Sequence, residues 1–407
     1  MDKEQVSHVV YLHRAIEGIE NIFRLNRDLA KLIIDRISDY VNKLKQLHGS
    51  NTRIKIMNFC GTHEWTVTHF GIRSLVPSSI ELIAGPGCPV CVTPSYYIEE
   101  VIRLALDKVV VYTYGDTYRL RAIHPVKDVR SLSEARAYGA EVKIVTGLAE
   151  AIADAKSHKK DSVFVGIGFE TVASGYAKAI LSNVISQNLK ILSLVKLTPP
   201  AMVYTLEVHK KELPVNGVIA PGHVSTIIGA KAWKRVSNDY KVPVVVSGFE
   251  PIDVMLSLLE IVKQLTEGRS ETVIEYKRAA TWDGDLIAQR MIEEVFDVVD
   301  DAWRGIGIIP LSGLRLKNKY KIYDGFYEYS IKELNLSNWV YDLSPGCKCS
   351  DIVLGKAIPT KCPLFMKVCT PATPIGPCMV SIEGTCSIWA KYGGSGLASE
   401  IAKELNL

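Results

Sequence analysis

Residues 54–64 of the chain read IKIMNFCGTHE, a short apolar run that ends in a cysteine, a glycine and three polar residues. Residues 80–91 repeat this pattern as IELIAGPGCPVC. Apolar runs of this length, bounded by glycine and proline, are typical of strands that are buried on both faces of a parallel sheet. The two runs therefore predict the start of a β/α fold, with a helix in the connection between them.

Six further apolar runs follow along the chain. Within each set of four runs, residues 54–145 and 163–246, consecutive runs begin about 24 to 33 residues apart, and each gap holds a segment with helical periodicity. We predict an α/β fold in which two similar four-stranded parallel β/α units lie side by side. The first unit takes residues 54–59, 80–84, 109–114 and 142–145, and the second takes residues 163–167, 191–195, 218–220 and 242–246.

The segments that flank these units have other patterns. From Leu12 to Leu47, apolar residues recur at three- and four-residue steps, which predicts a helical arm packed on the body. The end of the chain is rich in cysteine and proline and predicts a loop-rich region. The predicted domains are an N-terminal helical arm (1–50), a first β/α domain with a thiol site (51–150), a second β/α domain (151–265) and a C-terminal region with a Cys-rich domain (266–407).

Composition and charge argue against several classes of protein. The 407 residues are 47% hydrophobic and 23% charged, which is ordinary for a folded globular protein. A net charge of +4 without a basic block does not predict a nucleic-acid partner. No apolar stretch reaches the ~18 residues of a membrane span, and no apolar signal core follows the N-terminus, so we expect a cytoplasmic protein without a membrane partner.

In a parallel α/β sheet, ligands bind beyond the carboxyl ends of the strands. Thiol, imidazole and carboxylate side chains stand at these ends here, whereas neither a dinucleotide fingerprint nor a P-loop follows any run. We therefore predict one functional edge, and we do not expect a dinucleotide-dependent enzyme. Cys60 and His63 follow the first run, Cys88 and Cys91 the second, Glu170 the fifth, His223 the seventh and Glu250 the eighth.

Each of these residues also has a structural interpretation, and the pattern alone leaves both open. The CxxC pair suits redox or metal chemistry, half of a zinc site, or two inert buried thiols. Cys60 and His63 suit a metal site or a nucleophile with its base, while Thr62 and Glu64 could cap the following helix. The two glutamates could complement helix dipoles, and His223 could be a structural histidine.

The other six cysteines lie near the C-terminus, and the total of nine is odd. In a long chain without a signal peptide, such cysteines fit metal ligands or redox thiols better than structural disulfides. A metal centre would order a loop-rich segment that has little apolar surface to bury. An iron–sulfur centre, a zinc site and free thiols all remain open for Cys347, Cys349, Cys362, Cys369, Cys378 and Cys386.

The sequence stretches around these residues, taken together and in order, resemble the HypD family of hydrogenase maturation proteins. The similarity extends from Met57 to Trp389, and its specificity comes from the number of matching stretches in the same order. The matching stretches are residues 60–63, 85–92, 115–116, 168–171, 221–225, 248–251, 303–305, 362–365 and 379–384.

The resemblance implies a cytoplasmic scaffold on which the iron of the [NiFe]-hydrogenase active site receives its cyanide and carbon monoxide ligands as an Fe(CN)2CO group. It further implies a HypC-type small chaperone and a HypE-type cyanide donor as partners, and the hydrogenase large subunit indirectly. Such a protein is an assembly scaffold with redox activity rather than a conventional turnover enzyme. An iron–sulfur thiol-disulfide reductase and a zinc-stabilised binding module remain the alternatives.

The resemblance also implies roles for individual residues. Cys60 would bind iron beside the redox-active pair Cys88 and Cys91, His63 would tune the site, and Glu170, His223 and Glu250 would line the crevice. A [4Fe-4S] cluster would feed the dithiol. Trp65 departs from the family pattern, because many members have a second histidine there. The implied cluster ligands are Cys349, Cys362, Cys369 and Cys386, while Cys347 and Cys378 stand where other members have other residues.

Overall fold

The structure, a computed structural model, describes residues 26–210 and 214–393 of the chain. Strands and helices alternate over most of this length, as the sequence predicts. The strands are β1 (Ile54–Asn58), β2 (Ile80–Ala84), β3 (Val110–Thr113), β4 (Val142–Ile144), β5 (Ser162–Gly168), β6 (Leu189–Val195), β7 (Gly217–Pro221), β8 (Val244–Ser247), β9 (Thr272–Ile274), β10 (Phe296–Trp303) and β11 (Gly307–Leu316).

Helices fill the connections between the strands and continue into the C-terminal region. Short 3-10 helices span Ala230–Trp233, Asn318–Tyr323 and Pro359–Lys361. The α-helices are α1 (Arg27–His48), α2 (Gly61–His69), α3 (Ile72–Leu75), α4 (Pro89–Val92), α5 (Ser95–Leu106), α6 (Gly115–Tyr118), α7 (Leu132–Ala137), α8 (Leu148–Ala155), α9 (Glu170–Leu181), α10 (Thr198–Lys210), α11 (Gly222–Ile228), α12 (Lys234–Asp239), α13 (Pro251–Thr266), α14 (Leu286–Val295), α15 (Gly325–Glu328), α16 (Cys349–Val353), α17 (Pro377–Val380) and α18 (Thr385–Tyr392).

Two parallel sheets form the body of the molecule. Sheet A has the strand order β2-β1-β7-β8-β9, and sheet B has the order β4-β3-β5-β6. All neighbouring strands within these two sheets run parallel. The predicted α/β class, the eight predicted strands and the two parallel sheets side by side are therefore confirmed.

The allocation of strands to the sheets differs from the prediction. Each sheet takes strands from both sides of residue 150, because β7 pairs with β1 and β5 pairs with β3. Sheet A also contains a fifth strand, β9, which the apolar runs did not predict. The strands β1, β5 and β7 are buried along their whole length. Because all of them have the same apolar pattern, the pattern identifies a buried strand but not its partner.

Helix α1 confirms the second part of the predicted N-terminal arm. Asn26 caps its start, since the Asn26 side chain accepts a 2.9 Å hydrogen bond from the backbone N–H of Leu29. Its buried face packs with residues of α13 in one hydrophobic cluster. Residues 12–25 of the predicted arm lie outside the described residues. The buried residues of this face are Ile33, Ile37, Val41 and Leu44.

None of the helices within residues 26–210 and 214–393 is long and apolar enough to cross a bilayer.

The antiparallel hairpin of β10 and β11 packs on sheet B through buried charges. Lys196, directly after β6, donates from Nζ to Asp301 Oδ2 at 2.5 Å. Arg315 of β11 donates from Nη2 to Asp301 Oδ1 at 3.0 Å. All three side chains are buried, so each charge has its partner inside the core. This triad fixes the hairpin to the carboxyl end of sheet B.

The Cys-rich segment lies against the carboxyl edge of sheet A. Gly355 has a φ of +68°, and a Cβ at this position would come within 2.8 Å of the carbonyl oxygen of Ala84, the last residue of β2. Glycine is therefore required both by the backbone conformation and by the close approach. The segment consists of short helices joined by loops, which confirms the loop-rich C-terminal region.

Candidate functional site

Side chains that follow strands of both sheets meet in one crevice. Cys60 follows β1 and His223 follows β7, and Cys60 Sγ lies 3.9 Å from His223 Nδ1. Glu170 follows β5 of sheet B and begins helix α9, which packs against α11, the helix that contains His223. The carboxyl edges of the two sheets thus face each other, and we call the space around these three side chains the edge crevice.

Cys60 is the N-cap of helix α2 and is only 3% exposed. The prediction of Thr62 as a cap is wrong, because the helix begins at Gly61 and Thr62 lies inside its first turn. Burial raises the pKa of the Cys60 thiol to about 12, and the negative charge of Glu383 adds to the shift. A metal cation that binds Cys60 must therefore displace a proton from the thiol.

The loop with the CxxC pair packs directly on the turn at Cys60. The backbone N–H of Gly61 donates to the carbonyl oxygen of Gly87 at 3.1 Å. A Cβ on Gly87 would lie 2.4 Å from Cys60 Cα, and a backbone atom cannot move aside as a flexible side chain could. Cys88 and Cys91 are both buried and form a disulfide. The structure thus brings three of the predicted thiols into one neighbourhood.

His63 lies in the first turn of α2 and is completely buried. Its Nε2 is 2.9 Å from the carbonyl oxygen of Gly248, which can only accept, so we assign the proton to Nε2. The ring stacks on Phe249 with 4.9 Å between centroids, and burial lowers the pKa of His63 to about 4. His63 is thus neutral at pH 7, and its buried Nδ1 has no hydrogen-bond partner among the residues described.

The two predicted glutamates have different environments. Glu170 is buried and accepts hydrogen bonds from Thr198, at 2.7 Å from the backbone N–H and 3.1 Å from the hydroxyl. Burial raises the pKa of Glu170 to about 7. Glu250 instead caps the start of α13 in a reciprocal capping box with Asp253. Glu250 therefore has the structural role at a helix start that the sequence left open.

We predict that Glu170 makes stability fall as pH rises from about 4.5 to 7. Its folded-state pKa is raised, so the folded protein binds more protons than the unfolded chain in this range. The stabilisation is present below pH 4.5 and is lost as pH rises through 7, at about 1.4 kcal/mol per pH unit. Guanidinium unfolding between pH 5 and 8 measures this slope.

The comparison with Glu170→Gln isolates this slope. Gln has no titrating group, so the difference in unfolding free energy between variant and wild type should change with pH only below about 7. Buried His63 contributes an opposite slope, because burial lowers its pKa, and this slope cancels in the comparison. A difference that is independent of pH between 5 and 7 would contradict the protonated carboxyl.

Glu383 is a residue of the crevice that the sequence analysis did not select. A Cβ on Gly61 would lie 2.6 Å from Glu383 Cβ, so the segment before α18 touches the start of α2. Asp116 holds this segment, since its Oδ2 accepts from Ser381 Oγ at 2.8 Å and from the Ile382 N–H at 3.0 Å. In the sequence, Glu383 could have been selected because it lies in the stretch 379–384, which matches the HypD family.

The buried carboxylate of Glu64 connects α2 both with α3 and with the Cys-rich segment. Arg73 Nη2 lies 2.8 Å from both carboxylate oxygens of Glu64. The same carboxylate accepts from Asn58 Nδ2 at 2.8 Å and from Trp389 Nε1, on α18, at 2.7 Å. Glu64 therefore does more than cap its own helix, because it holds α18 beside the helix that Cys60 begins.

The six C-terminal cysteines converge on one small cavity. Its remaining wall includes apolar side chains such as Ile352 and Phe365. Six soft donors around an apolar cavity suit an iron–sulfur cluster or zinc by the chemistry of the ligands alone. Within residues 26–210 and 214–393, no group of three or more His, Cys, Asp or Glu side chains is arranged to hold a metal ion. We call this space the cysteine cavity; the cysteines that line it are Cys347, Cys349, Cys362, Cys369, Cys378 and Cys386.

Within the cysteine cavity, the thiols are not evenly placed. Cys349 Sγ and Cys378 Sγ are 2.7 Å apart. Cys369 Sγ accepts a hydrogen bond from the backbone N–H of Ile375 at 3.3 Å. On the side of the disulfide, Cys91 Sγ lies 3.9 Å from the carbonyl oxygen of the residue before Cys378. The cavity therefore adjoins the CxxC pair of the edge crevice.

The family model and the relatives found by comparison all concern hydrogenase formation or maturation. The family HypD, described as the hydrogenase formation hypA family, matches residues 35–393. A hydrogenase expression/formation protein of Methanocaldococcus jannaschii is 40% identical over 370 residues, covering 90% of this chain and 98% of the relative. The hydrogenase maturation factor HypD of Cupriavidus necator is 37% identical over 350 residues, covering 84% and 90%. HypD of Rhizobium leguminosarum is 36% identical over 375 residues, covering 90% and 93%.

Proposed function

Because the chain belongs to the HypD family of hydrogenase maturation factors, we propose that it is the scaffold on which the Fe(CN)2CO group of a [NiFe]-hydrogenase is assembled. The observation that carries the proposal is the buried thiol of Cys60, which lies at the facing edges of two sheets, beside His223 and against the CxxC loop. A soft thiolate in a crevice that excludes water suits low-valent iron, which is the cargo here.

Iron binding at Cys60 requires a proton acceptor. His223 Nδ1 is 3.9 Å from the thiol, and burial lowers the pKa of His223, so the ring is neutral and can take the proton. The carboxylates of Glu383 and Glu170, in their ionised forms, stabilise the imidazolium that forms. The disulfide of the CxxC pair stores two oxidising equivalents and, once reduced, offers two further thiols to the cargo.

We further propose that the cysteine cavity holds a [4Fe-4S] cluster, with Cys349, Cys362, Cys369 and Cys386 as its ligands. Support comes from the donor set and from the position of the cavity next to the CxxC pair. When bound, such a cluster supplies single electrons. Family membership implies work with other maturation factors, and we propose a HypC-type chaperone and a HypE-type cyanide donor in the cytoplasm.

A direct test can decide whether Cys349 or Cys347 is the fourth cluster ligand. We expect Cys349→Ser to lower the iron and sulfide content of the anaerobically reconstituted protein at least about twofold, because cluster ligation uses four thiolates. Cys347→Ser is the matched control, since Cys347 lines the same cavity and is expected to leave the content unchanged.

The reverse result would reassign this ligand. Loss of the cluster in Cys347→Ser with retention in Cys349→Ser would make Cys347 the fourth ligand. It would also leave Cys349 and Cys378, which are 2.7 Å apart, as a separate thiol pair.

The scaffold function is tested by anaerobic visible and infrared spectroscopy of the protein purified with its HypC-type partner, together with iron and sulfide analysis. We expect absorption from an iron–sulfur cluster and infrared bands from iron-bound cyanide and carbonyl. A cluster signal without these bands, in cells with an intact maturation pathway, would contradict the scaffold and favour the alternative.

That alternative is an iron–sulfur thiol-disulfide reductase, which the disulfide beside the cysteine cavity supports. It predicts turnover of a protein disulfide without the HypC-type partner. The 4% and 1% exposure of Cys88 and Cys91 argues against direct attack on a large substrate. A zinc-stabilised binding module, the third possibility, would be colourless.

A further inference from the structure

The loop that closes the cysteine cavity also forms part of the outer surface. Leu364 and Phe365 line the cavity, whereas the three residues after them are exposed to solvent. Two backbone hydrogen bonds of 3.0 Å close this loop: the Met366 N–H donates to the carbonyl oxygen of Cys369, and the Cys369 N–H donates to that of Leu364. The chain between Cys362 and Cys369 therefore has one side toward the cavity and the other toward solvent.

The turn before Lys348 packs against this loop. A Cβ on Gly346 would lie 3.6 Å from Leu364 Cδ2, and the carbonyl oxygen of Gly346 lies 3.8 Å from Cys362 Sγ. The exposed residues of the turn and of the loop thus belong to neighbouring segments beside the cavity. We call these residues the basic face; its members are Lys348, Lys361, Met366, Lys367 and Val368.

The basic face has an excess of positive charge. Residues 343–382 contain four lysines and a single aspartate. The three ammonium groups of the basic face have no ion-pair partner among the residues that the structure describes. Exposed Arg119 adjoins the same segment, because its Nη2 donates to the carbonyl oxygen of Pro371 at 3.1 Å. Such a patch attracts a negatively charged partner and raises its rate of association.

Two apolar side chains lie among these charges. Met366 is 50% exposed and Val368 is 56% exposed. Met366 also has a φ of +54°, a conformation that is rare for a residue with a Cβ and that is found most often at functional positions. Apolar residues with a charged rim are typical of protein interfaces, and a small patch suits the brief encounters of electron-transfer proteins.

We propose that the basic face is the docking surface for an acidic electron-carrier protein that transfers single electrons. This inference rests on the proposed function, because a carrier is needed only if the sulfur sites behind the basic face take up electrons. The cysteine cavity, which the loop of the basic face closes, adjoins the disulfide of Cys88 and Cys91. To open that disulfide, two carrier molecules supply one electron each and solvent supplies two protons; the S–S bond breaks and two thiols form.

The test uses a reduced bacterial-type ferredoxin, an acidic one-electron carrier, and the full-length protein reconstituted anaerobically with iron and sulfide. Stopped-flow absorbance gives the second-order rate of reduction for wild type and for Lys348→Glu/Lys361→Glu/Lys367→Glu. We expect the triple variant to react at least about tenfold more slowly at low ionic strength, because charge steering is lost. The wild-type rate should fall as salt is added, and this dependence should be absent from the variant.

The matched control is Lys156→Glu/Lys159→Glu/Lys234→Glu. These three lysines are also exposed, lie outside the Cys-rich segment and have no ion-pair partner among the described residues. The control changes the net charge by the same amount as the first triple variant. It should keep most of the wild-type rate if docking depends on the basic face rather than on net charge.

Met366→Gly tests the apolar part of the surface without charge reversal. Glycine adopts a φ of +54° readily, so the loop should keep its shape when the side chain is removed. We expect calorimetric titration with oxidised ferredoxin to show about fivefold weaker binding, as for truncation of a contributing interface residue. This measurement needs no cluster in the chain itself.

The possible outcomes separate this proposal from the proposed function. Wild-type rates and affinities in the basic-face variants, or an equal loss in the control triple variant, would overturn the docking surface and leave the scaffold intact. Absence of ferredoxin binding to wild type would do the same. Binding by a wild type that takes up no cluster would support the docking surface and overturn the cluster. Release of the HypC-type partner by the first triple variant, at an unchanged ferredoxin rate, would assign the surface to that partner and overturn the proposal.

Discussion

Replacing Cys60 with Ala is expected to abolish the infrared bands of iron-bound cyanide and carbonyl, with at least a ~10-fold loss of bound cargo iron. The thiol is the group at the centre of the crevice, 3.9 Å from His223 and in contact with the loop before the CxxC pair. The cluster signal should remain, because Cys60 does not line the cysteine cavity. Anaerobic infrared spectra and metal analysis of the complex with the HypC-type partner check both expectations.

The fold should survive this substitution, because the Cys60 side chain makes no capping hydrogen bond to helix α2. Trp65→Phe is the matched control in the same helix, since Trp65 contacts His69, Phe70 and Tyr392. We expect this control to keep the bands. Wild-type bands in the folded Cys60 variant would refute the assignment of Cys60 as the iron ligand.

Replacing Glu64 with Gln is expected to lower the unfolding free energy by about 3 kcal/mol, because it leaves Arg73 without its buried carboxylate. The carboxylate is 1% exposed and the guanidinium 15%, so the effect should fall at the lower end of the range for buried pairs. Trp389 also loses its acceptor in part, so α18 with Cys386 should be held less firmly. Anaerobic denaturant unfolding and cluster content measure the two effects.

A surface pair gives the comparison for this prediction. Glu100 pairs with Arg103 at 2.7 Å, but the two side chains are 20% and 39% exposed. Glu100→Gln should therefore cost less than about 1 kcal/mol and leave the cluster content unchanged. In the double variant Glu64→Gln/Arg73→Met, part of the lost stability should return, since no unpaired charge is left behind. Additive losses would show that the ion pair is not the cause.

Much of the candidate site follows from the sequence, because strand ends can be located from local patterns. Cys60, His63, Cys88, Cys91, Glu170 and His223 all lie at carboxyl ends of buried strands, as predicted. Glu383 and the Glu64–Trp389 bond could not be predicted this way, because they join segments that are more than 300 residues apart in the chain. These residues reach the site only through contacts between segments that are distant in the chain.

The sequence by itself determined where the buried strands lie and where cysteines, histidines and glutamates stand relative to their ends. These properties are local, since they depend on runs of a few apolar residues and on the glycines that end them. The tertiary structure alone decided that β7 joins β1 and that the cysteine cavity lies beside the CxxC pair. The reason is physical: buried strands with the same apolar pattern can pair with any similar neighbour, so their order is set by how the whole chain packs.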